Sequence, residues 1–419
     1  MIPLDDARAT VFAGCGRGHP RAVPLADALG LVTSVDIDAL EAVPPFDNTA
    51  MDGFAVRAAD TAGASDASPV LLAVTGTLAA GASPGPTVGP GEAVRIMTGA
   101  PMPPGADAVV MVERTSVREG GQAPEGRVAV LVEVAPGNHV RRVGDDLRAG
   151  QRVFDAGTVL TPAHLGVLAS VGVRRVPVYP RPRVGVLSTG DELVDGPEPL
   201  APGQIRDSNR RMLLALVARA DAEPVDLGRI PDDEAAIAAA FAAGAESCDA
   251  LISSGGVSMG DFDYVKVVLD RLGDMSWMQV AIRPAKPLAF GTIAGTPVFG
   301  LPGNPVSSLV SFELFARPGL RTMMGHPHPD RLRIPAVADE PLTRRPDGKT
   351  HFTRVVAGYG DDGAVHVRST GAQGSHQLAA TAAANALAVL ADGDGVTAGD
   401  AVEIMVLGDL IPGTVSRGT

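Results

Sequence analysis

Three short segments carry residue types from which anion chemistry can be built: STGDEL at 188–193, SSGGVSMGDFDYVK at 253–266 and GLPGNPVSSL at 300–309. Glycine lets backbone N–H groups approach an anion closely, and a helix N-terminus behind such a loop favours negative charge. Ser188, Thr189, Gly190, Ser254, Gly255, Gly256, Ser258 and Asn304 are therefore candidates for holding a phosphate-bearing ligand. Carboxylates stand beside them: Glu192 in the first loop, Asp261 and Asp263 in the second. A carboxylate near phosphate is repelled unless a cation intervenes, and Mg²⁺, held by one or two carboxylates plus phosphate oxygens, removes that conflict. The basic complement is IRPAKP, where prolines stiffen the segment that carries Arg283 and Lys286.

The elements around these loops read as strand–loop–helix, repeated. VGVLSTG, ALISSGG and TPVFGLPG are short apolar strands ending in small residues. SNRRMLLALVARA, DDEAAIAAAFAAGA, DYVKVVLDRL and VSSLVSFELF read as helices. Such alternation predicts a parallel sheet covered by helices, with ligands beyond the carboxyl ends of the strands. Asp232 opens one of these helices, where an N-cap role is as available to it as a functional one.

Upstream, VLLAVTG, EAVRIM, ADAVVMVE and RVAVLVEV are short strands between Gly and Pro clusters, an all-β module. The first forty residues read as helical through Leu4, Ala7 and Val11, then Leu25, Ala28 and Leu29. TPAHLGVLASVG is a helix with Thr161 as N-cap, Pro162 in the first position and Gly172 closing it. Helical stretches on both sides predict that the β module is inserted. After HPHPDRLRIP the chain turns β-rich again, a further β domain.

Composition limits the function classes. A formal charge of −13 argues against nucleic acid as a partner, since phosphate backbones need clustered Lys and Arg. Two isolated cysteines, Cys15 and Cys248, supply neither metal-ligand spacing nor a disulfide framework, and are expected reduced. The opening MIPLDDARATVFAG lacks the apolar run of a signal peptide, and no apolar stretch of about 18 residues occurs. The expectation is a cytoplasmic protein without a membrane span.

Seven segments, in order, resemble the motifs of molybdopterin molybdenumtransferases and the gephyrin E domain: PPFDNTAMDGFAV, RIMTGAPMPPGADAVVMVE, GVLSTGDEL, GQIRDSNRRML, SSGGVSMGDFDYVK, AIRPAKPLAFG and FGLPGNPVSS. With GSHQLAATAAANAL the likeness spans nearly the whole chain. The resemblance implies a multidomain α/β plus β protein: an elongated domain (1–43 and 141–180), an inserted β domain (44–140), an α/β domain (181–326) and a C-terminal β-barrel (327–419). It implies a homodimer with the active site between protomers, an upstream adenylyltransferase and apo-molybdoenzymes as partners, and transfer of molybdate into adenylyl-molybdopterin with release of AMP.

Residue by residue, it puts weight on Asp52 and Thr98, on Arg141 and Asp146, and on Glu192, Asp232 and Asp263. Arg283, Lys286, Pro302, Pro305 and Ser375 complete the set. Asp52, Glu192, Asp263 and Lys286 are the catalytic candidates. Asp52, Asp146, Glu192, Asp232 and Asp263 are the candidate Mg²⁺ ligands. The sequence departs from the family in having Arg283 where Lys is usual, Asp145 where Glu is usual, and Gln279 in place of a basic residue. Two other activities stay open here: a molybdopterin adenylyltransferase, which the α/β domain alone also resembles, and a gephyrin-like scaffold.

Overall fold

The Arg183–Thr189 strand is buried from Val184 to Thr189, as a near-continuous apolar run in a sheet covered on both faces should be. In the computed structural model, which describes residues 1–117, 126–256 and 264–410, it is an interior strand, second from one edge, of a six-stranded sheet. The strand order is Glu223–Ile230, Arg183–Thr189, Ala250–Ser254, Thr296–Leu301, Pro287–Ile293 and Asp274–Gln279. The first four strands run parallel and the last two are antiparallel additions. From Arg183–Thr189 the chain moves outward to Glu223–Ile230, then crosses back to Ala250–Ser254 on the other side. The order therefore reverses between the loops that follow Thr189 and Ser254, the point where doubly wound sheets open a crevice.

Helices Ser208–Arg219, Glu234–Ser247 and Tyr264–Leu272 form where the sequence placed them. The run VSSLVSFELF is less regular. An α-helix, Pro305–Ser311, passes into a π-helical turn, Phe312–Ala316, and then into the Arg317–Met323 helix. Every residue of the π turn is buried, Glu313 among them, and Arg331 grips that carboxylate through Nε and Nη2 at 2.8 and 2.9 Å. A buried charge needs such a partner.

A second β structure follows. Thr350–Tyr359 pairs with Val365–Ser369, which pairs with Arg333–Ala338. That strand pairs with Ala401–Val406, then Ala386–Leu390 closes back onto Thr350–Tyr359. The result is a closed five-stranded barrel, as expected, and closure leaves no free edge within it. The short Ile282–Arg283 strand of the α/β region adds to it in parallel, placing Arg283 opposite His351. One apolar core runs from Ala7 and Val11 of the Leu4–Gly14 helix through Val184, Ile252 and Phe299 to Phe352 and Leu387 of the barrel.

Contacts divide the chain into two compact units. One is Met1–Arg21, Gly30–Ser34 and Pro177–Thr419; the other is Ala22–Leu29 and Val35–Val176. The second unit contains a five-stranded sheet ordered Ala108–Met111, Gly53–Val56, Glu92–Ile96, Val70–Leu78 and Arg127–Val130. Four of these are the strands read from the sequence; Gly53–Val56, between Ala108–Met111 and Glu92–Ile96, is not among them. Gly53 is required there: a Cβ would lie 2.0 Å from the Val110 carbonyl oxygen. The Pro162–Ser170 helix has its expected ends, with Thr161 accepting from His164 N–H and Gly172 at φ +81°.

The first forty residues correct the helical reading. Only Leu4–Gly14 is α-helix. Arg21–Pro24 is a strand and Leu25–Asp27 a single 3₁₀ turn. Gly30 takes φ +76° and the Val32–Thr33 strand follows at once, so the helical spacing of Leu25, Ala28 and Leu29 has room for no more than one turn. Among the described residues, no helix is long and apolar enough to cross a membrane.

Candidate functional site

Loops from different parts of the α/β region meet at the crevice where the strand order reverses, in a cavity of about 380 Å³. The sequence candidates Thr189, Glu192, Ser254, Gly255, Asn304 and Pro305 all line it. Asp207, Asn209 and His376 line it too, and sequence reasoning missed them. Asp207 and Asn209 sit inside the quoted GQIRDSNRRML segment and His376 inside GSHQL, so the signal was present but unweighted.

Asp207 is the N-cap of the Ser208–Arg219 helix and is nearly sealed from solvent. It accepts from Arg210 N–H and Nε at 3.1 and 2.9 Å and from the Ser188 hydroxyl. Arg210 also reaches Asp195 and Asp226. Ser188 is thus buried behind the cavity wall, with its proton committed to Asp207.

A second cavity of about 310 Å³ adjoins the first and shares Asn304 with it. Arg283, Lys286, Pro302 and Ser375, from the sequence set, line it with Lys349, Ser307 and Gln373. Three cations and, among the described residues, no carboxylate form this wall, which suits an oxyanion. Arg283 and Lys286 make no ion pair among the described residues. Lys349 is held by Asp347 at 2.8 Å, a carboxylate that also meets Arg344 and His351. Lys349 was not singled out from sequence, because only the pairing of Ile282–Arg283 with Thr350–Tyr359 brings it here. Arg283 also borders a larger cavity of about 690 Å³ beside the barrel.

The carboxylates differ in how they are held. Glu192 is exposed, and its side chain makes no hydrogen bond among the described residues; it lies close to Gly190, whose φ is +144°. Asp191 and Asp232 exchange backbone-to-carboxylate hydrogen bonds, both 3.3 Å. Asp232 is not the helix cap: Asp233 takes that role, accepting from Ala236 N–H at 2.8 Å. Among the described residues, no group of three or more His, Cys, Asp or Glu is gathered as a ready metal cage. Ser258, Asp261 and Asp263 lie outside the described residues, and Gly256 borders that segment at φ +71°.

In the other unit, the Asp52 carboxylate accepts from Thr98 N–H at 2.6 Å and from the Thr98 hydroxyl at 2.7 Å. The Thr98 hydroxyl, then its N–H, hold Asp52 below the ordinary carboxylate value although the group is exposed. Arg141 ends the short Val140–Arg141 strand, which pairs with Asn48–Thr49, and is exposed, as is Asp146. Asp145 closes the turn before Asp146 by accepting from Arg142 N–H at 2.6 Å.

With this geometry in place, comparison with known proteins gives a consistent picture. Family profiles described as MoeA N-terminal region (domain I and II), probable molybdopterin binding domain, and MoeA C-terminal region (domain IV) match residues 2–172, 185–322 and 335–407. The chain is 45% identical over 375 residues to molybdopterin molybdenumtransferase 2 of Mycobacterium tuberculosis, covering 88% of this chain and 90% of that protein. It is 38% identical to the molybdopterin molybdenumtransferase of Haemophilus influenzae, covering 96% and 98%. The crystal structure of a molybdopterin biosynthesis moeA protein from Pyrococcus horikoshii OT3 superposes with a TM-score of 0.78 at 30% identity, over 97% of this chain and 100% of that one.

Proposed function

From the premise that the chain belongs to the MoeA family, we propose that it is a transferase of molybdenum-cofactor biosynthesis that inserts molybdate into adenylyl-molybdopterin and releases AMP. The observation that carries this is the pair of adjoining cavities: one walled by Arg283, Lys286 and Lys349, the other by Glu192, Ser254 and Asn209. A tetrahedral dianion is matched by the cationic cavity, where fixed positive groups stabilise it without reorganisation. The longer organic substrate is matched by the Gly-rich crevice, with its diphosphate toward the shared Asn304. Guanidinium at Arg283 grips an oxyanion through a planar fork, where the usual lysine offers a point charge.

Exposed carboxylates at Glu192 and Asp232 are hard oxygen donors of the kind Mg²⁺ takes one or two at a time together with phosphate oxygens. We therefore assign the divalent ion to them, with Asp263 as a further expected ligand. Bound there, it would neutralise and polarise the diphosphate. The protein's own share is orientation: the anion loops and cations hold two mutually repelling substrates in one geometry, which is most of what phosphoanhydride cleavage needs. Asp52, Thr98, Arg141 and Asp146 are assigned to the same reaction through the family motifs that carry them. A homodimer in the cytoplasm, a four-part domain division at 43, 140, 180 and 326, and exchange with an adenylyltransferase and apo-molybdoenzymes complete the reading.

The test is molybdate-dependent release of AMP from adenylyl-molybdopterin by the purified protein, with ATP as the alternative substrate. Consumption of ATP instead, or turnover unchanged after exhaustive chelation with the metal content measured, overturns the reaction or its Mg²⁺ requirement respectively.

A further inference from the structure

Asn209 has one orientation open to it. Its Nδ2 donates to the Gly303 carbonyl oxygen at 2.6 Å and to Ser254 Oγ at 2.8 Å. A carbonyl oxygen only accepts, so rotating the amide to put Oδ1 there would press two acceptors together. Both Nδ2 protons are thereby used, and Oδ1 is left as a buried acceptor without a donor among the described residues, on a side chain more than nine-tenths buried. The same bond settles Ser254. Its oxygen receives Asn209, so its own proton remains to be given away. Both residues line the crevice cavity. An unpaired acceptor, closed to water as the side chains stand, and an uncommitted donor therefore belong to hydrogen-bonded residues of its wall, and a buried polar atom left unpaired costs free energy until a shift of those side chains lets something satisfy it.

Phosphate and molybdate oxygens can only accept, so they can take the Ser254 proton but leave Asn209 Oδ1 unsatisfied. A group that answers both carries an N–H beside an acceptor: the lactam edge of a pterin, or the amidine edge of adenine. We infer that Asn209 and Ser254 together read the hydrogen-bonding edge of a nitrogen heterocycle, with the N–H of that edge on Asn209 Oδ1 and its neighbouring acceptor on the Ser254 hydroxyl. The inference rests on the transferase reading for the presence of such rings and goes beyond it by fixing where one of them docks. Asn209 also ties the loops after two strands together, so its amide sets the spacing of the crevice as well as its polarity.

Two matched pairs of probes separate the sources. Pterin is titrated against 3-methylpterin, which lacks the ring N–H, and AMP against purine riboside monophosphate, which lacks the 6-amino group. The expected result is a preference of about tenfold or more for the intact member of one pair, the effect of one well-formed hydrogen bond in a buried site. The pair that shows it names the ring. In Asn209→Ala the preference collapses toward unity, whereas loss of a merely structural tie would weaken both members alike and leave the ratio unchanged. Ser254→Ala, which keeps the bond from Asn209 to Gly303, provides a second variant, and circular dichroism checks that each is folded. Its binding of the intact probe is expected to fall several-fold. No preference within either pair for the wild type, or a preference that survives Asn209→Ala, overturns the inference. Molybdate-dependent AMP release is followed in parallel: its absence counts against the transferase reading itself, while its presence without discrimination counts only against Asn209 and Ser254 as readers.

Discussion

Asp52 and Glu192, both exposed acids of the family motifs, are prepared in opposite ways. Asp52 is pinned by the hydroxyl and N–H of Thr98 within its own unit and stays ionised below the ordinary carboxylate range. Glu192 has no such partner among the described residues and sits over a glycine at the crevice mouth. A pinned carboxylate has met its ordering entropy during folding; a loose one meets it when ligand or metal arrives. Asp52 is thus the fixed reference and Glu192 the adaptable group. The contrast says where the structure can be disturbed without loss of the fold.

The largest effect is expected behind the adaptable side, at Asp207, which is as buried as Glu192 is exposed. Asp207→Ala removes a helix cap and leaves Arg210 and Ser188 without their shared acceptor. Breaking one partner of a buried pair costs about 3–5 kcal/mol, measurable as a lower denaturant midpoint. Stability equal to wild type would show that Asp195 and Asp226 suffice. Next comes Glu192→Ala, which should leave the melting temperature nearly unchanged and lower turnover by about 10²-fold or more, as losing one preorganised electrostatic group does. A comparable loss of stability would erase the contrast with Asp52. For Lys286→Ala, the expected change is a several-fold higher KM for molybdate with a smaller change in kcat, since a binding charge is lost; an unaltered KM would detach the cationic cavity from that substrate.

The smallest effect concerns pH. Because folding lowers the Asp52 value, its contribution is fully present above the unfolded carboxylate value and is lost as pH falls through the folded one. Thr98→Val should move Asp52 up toward the ordinary value in a carboxyl NMR titration, with the stability difference from wild type shrinking in acid. A titration that does not move would leave Asp52 without its pin.

Much of this was legible before any coordinates. The strands ending in STG, SSGG and LPG declared the crevice, because a parallel sheet can only place such ends on one side. Thr161, Pro162 and Gly172 declared their helix through local chemistry that tertiary contacts do not override. What stayed hidden depended on pairing at a distance. Lys349 reaches the cationic wall only through the Ile282–Arg283 and Thr350–Tyr359 register. The importance of Asn209 appears only when Ser254 and Gly303, 45 and 94 residues away, are seen on its amide. The Leu25–Leu29 spacing misleads because Gly30, at φ +76°, ends the helical path after a single turn. The π turn at Phe312–Ala316 leaves no mark in an apolar run that reads as plain helix.

The barrel strand alongside Ile282–Arg283 has a consequence for anyone who would cut this chain into modules. Lys349, Gln373 and Ser375 come from the barrel, while Arg283, Lys286 and Asn304 come from the α/β region, and they enclose the same 310 Å³. Neither half, expressed alone, would own a complete anion cradle. Recombination at their junction must therefore exchange matched halves, and a chimaera joining unrelated parents would inherit a seam where its chemistry should be.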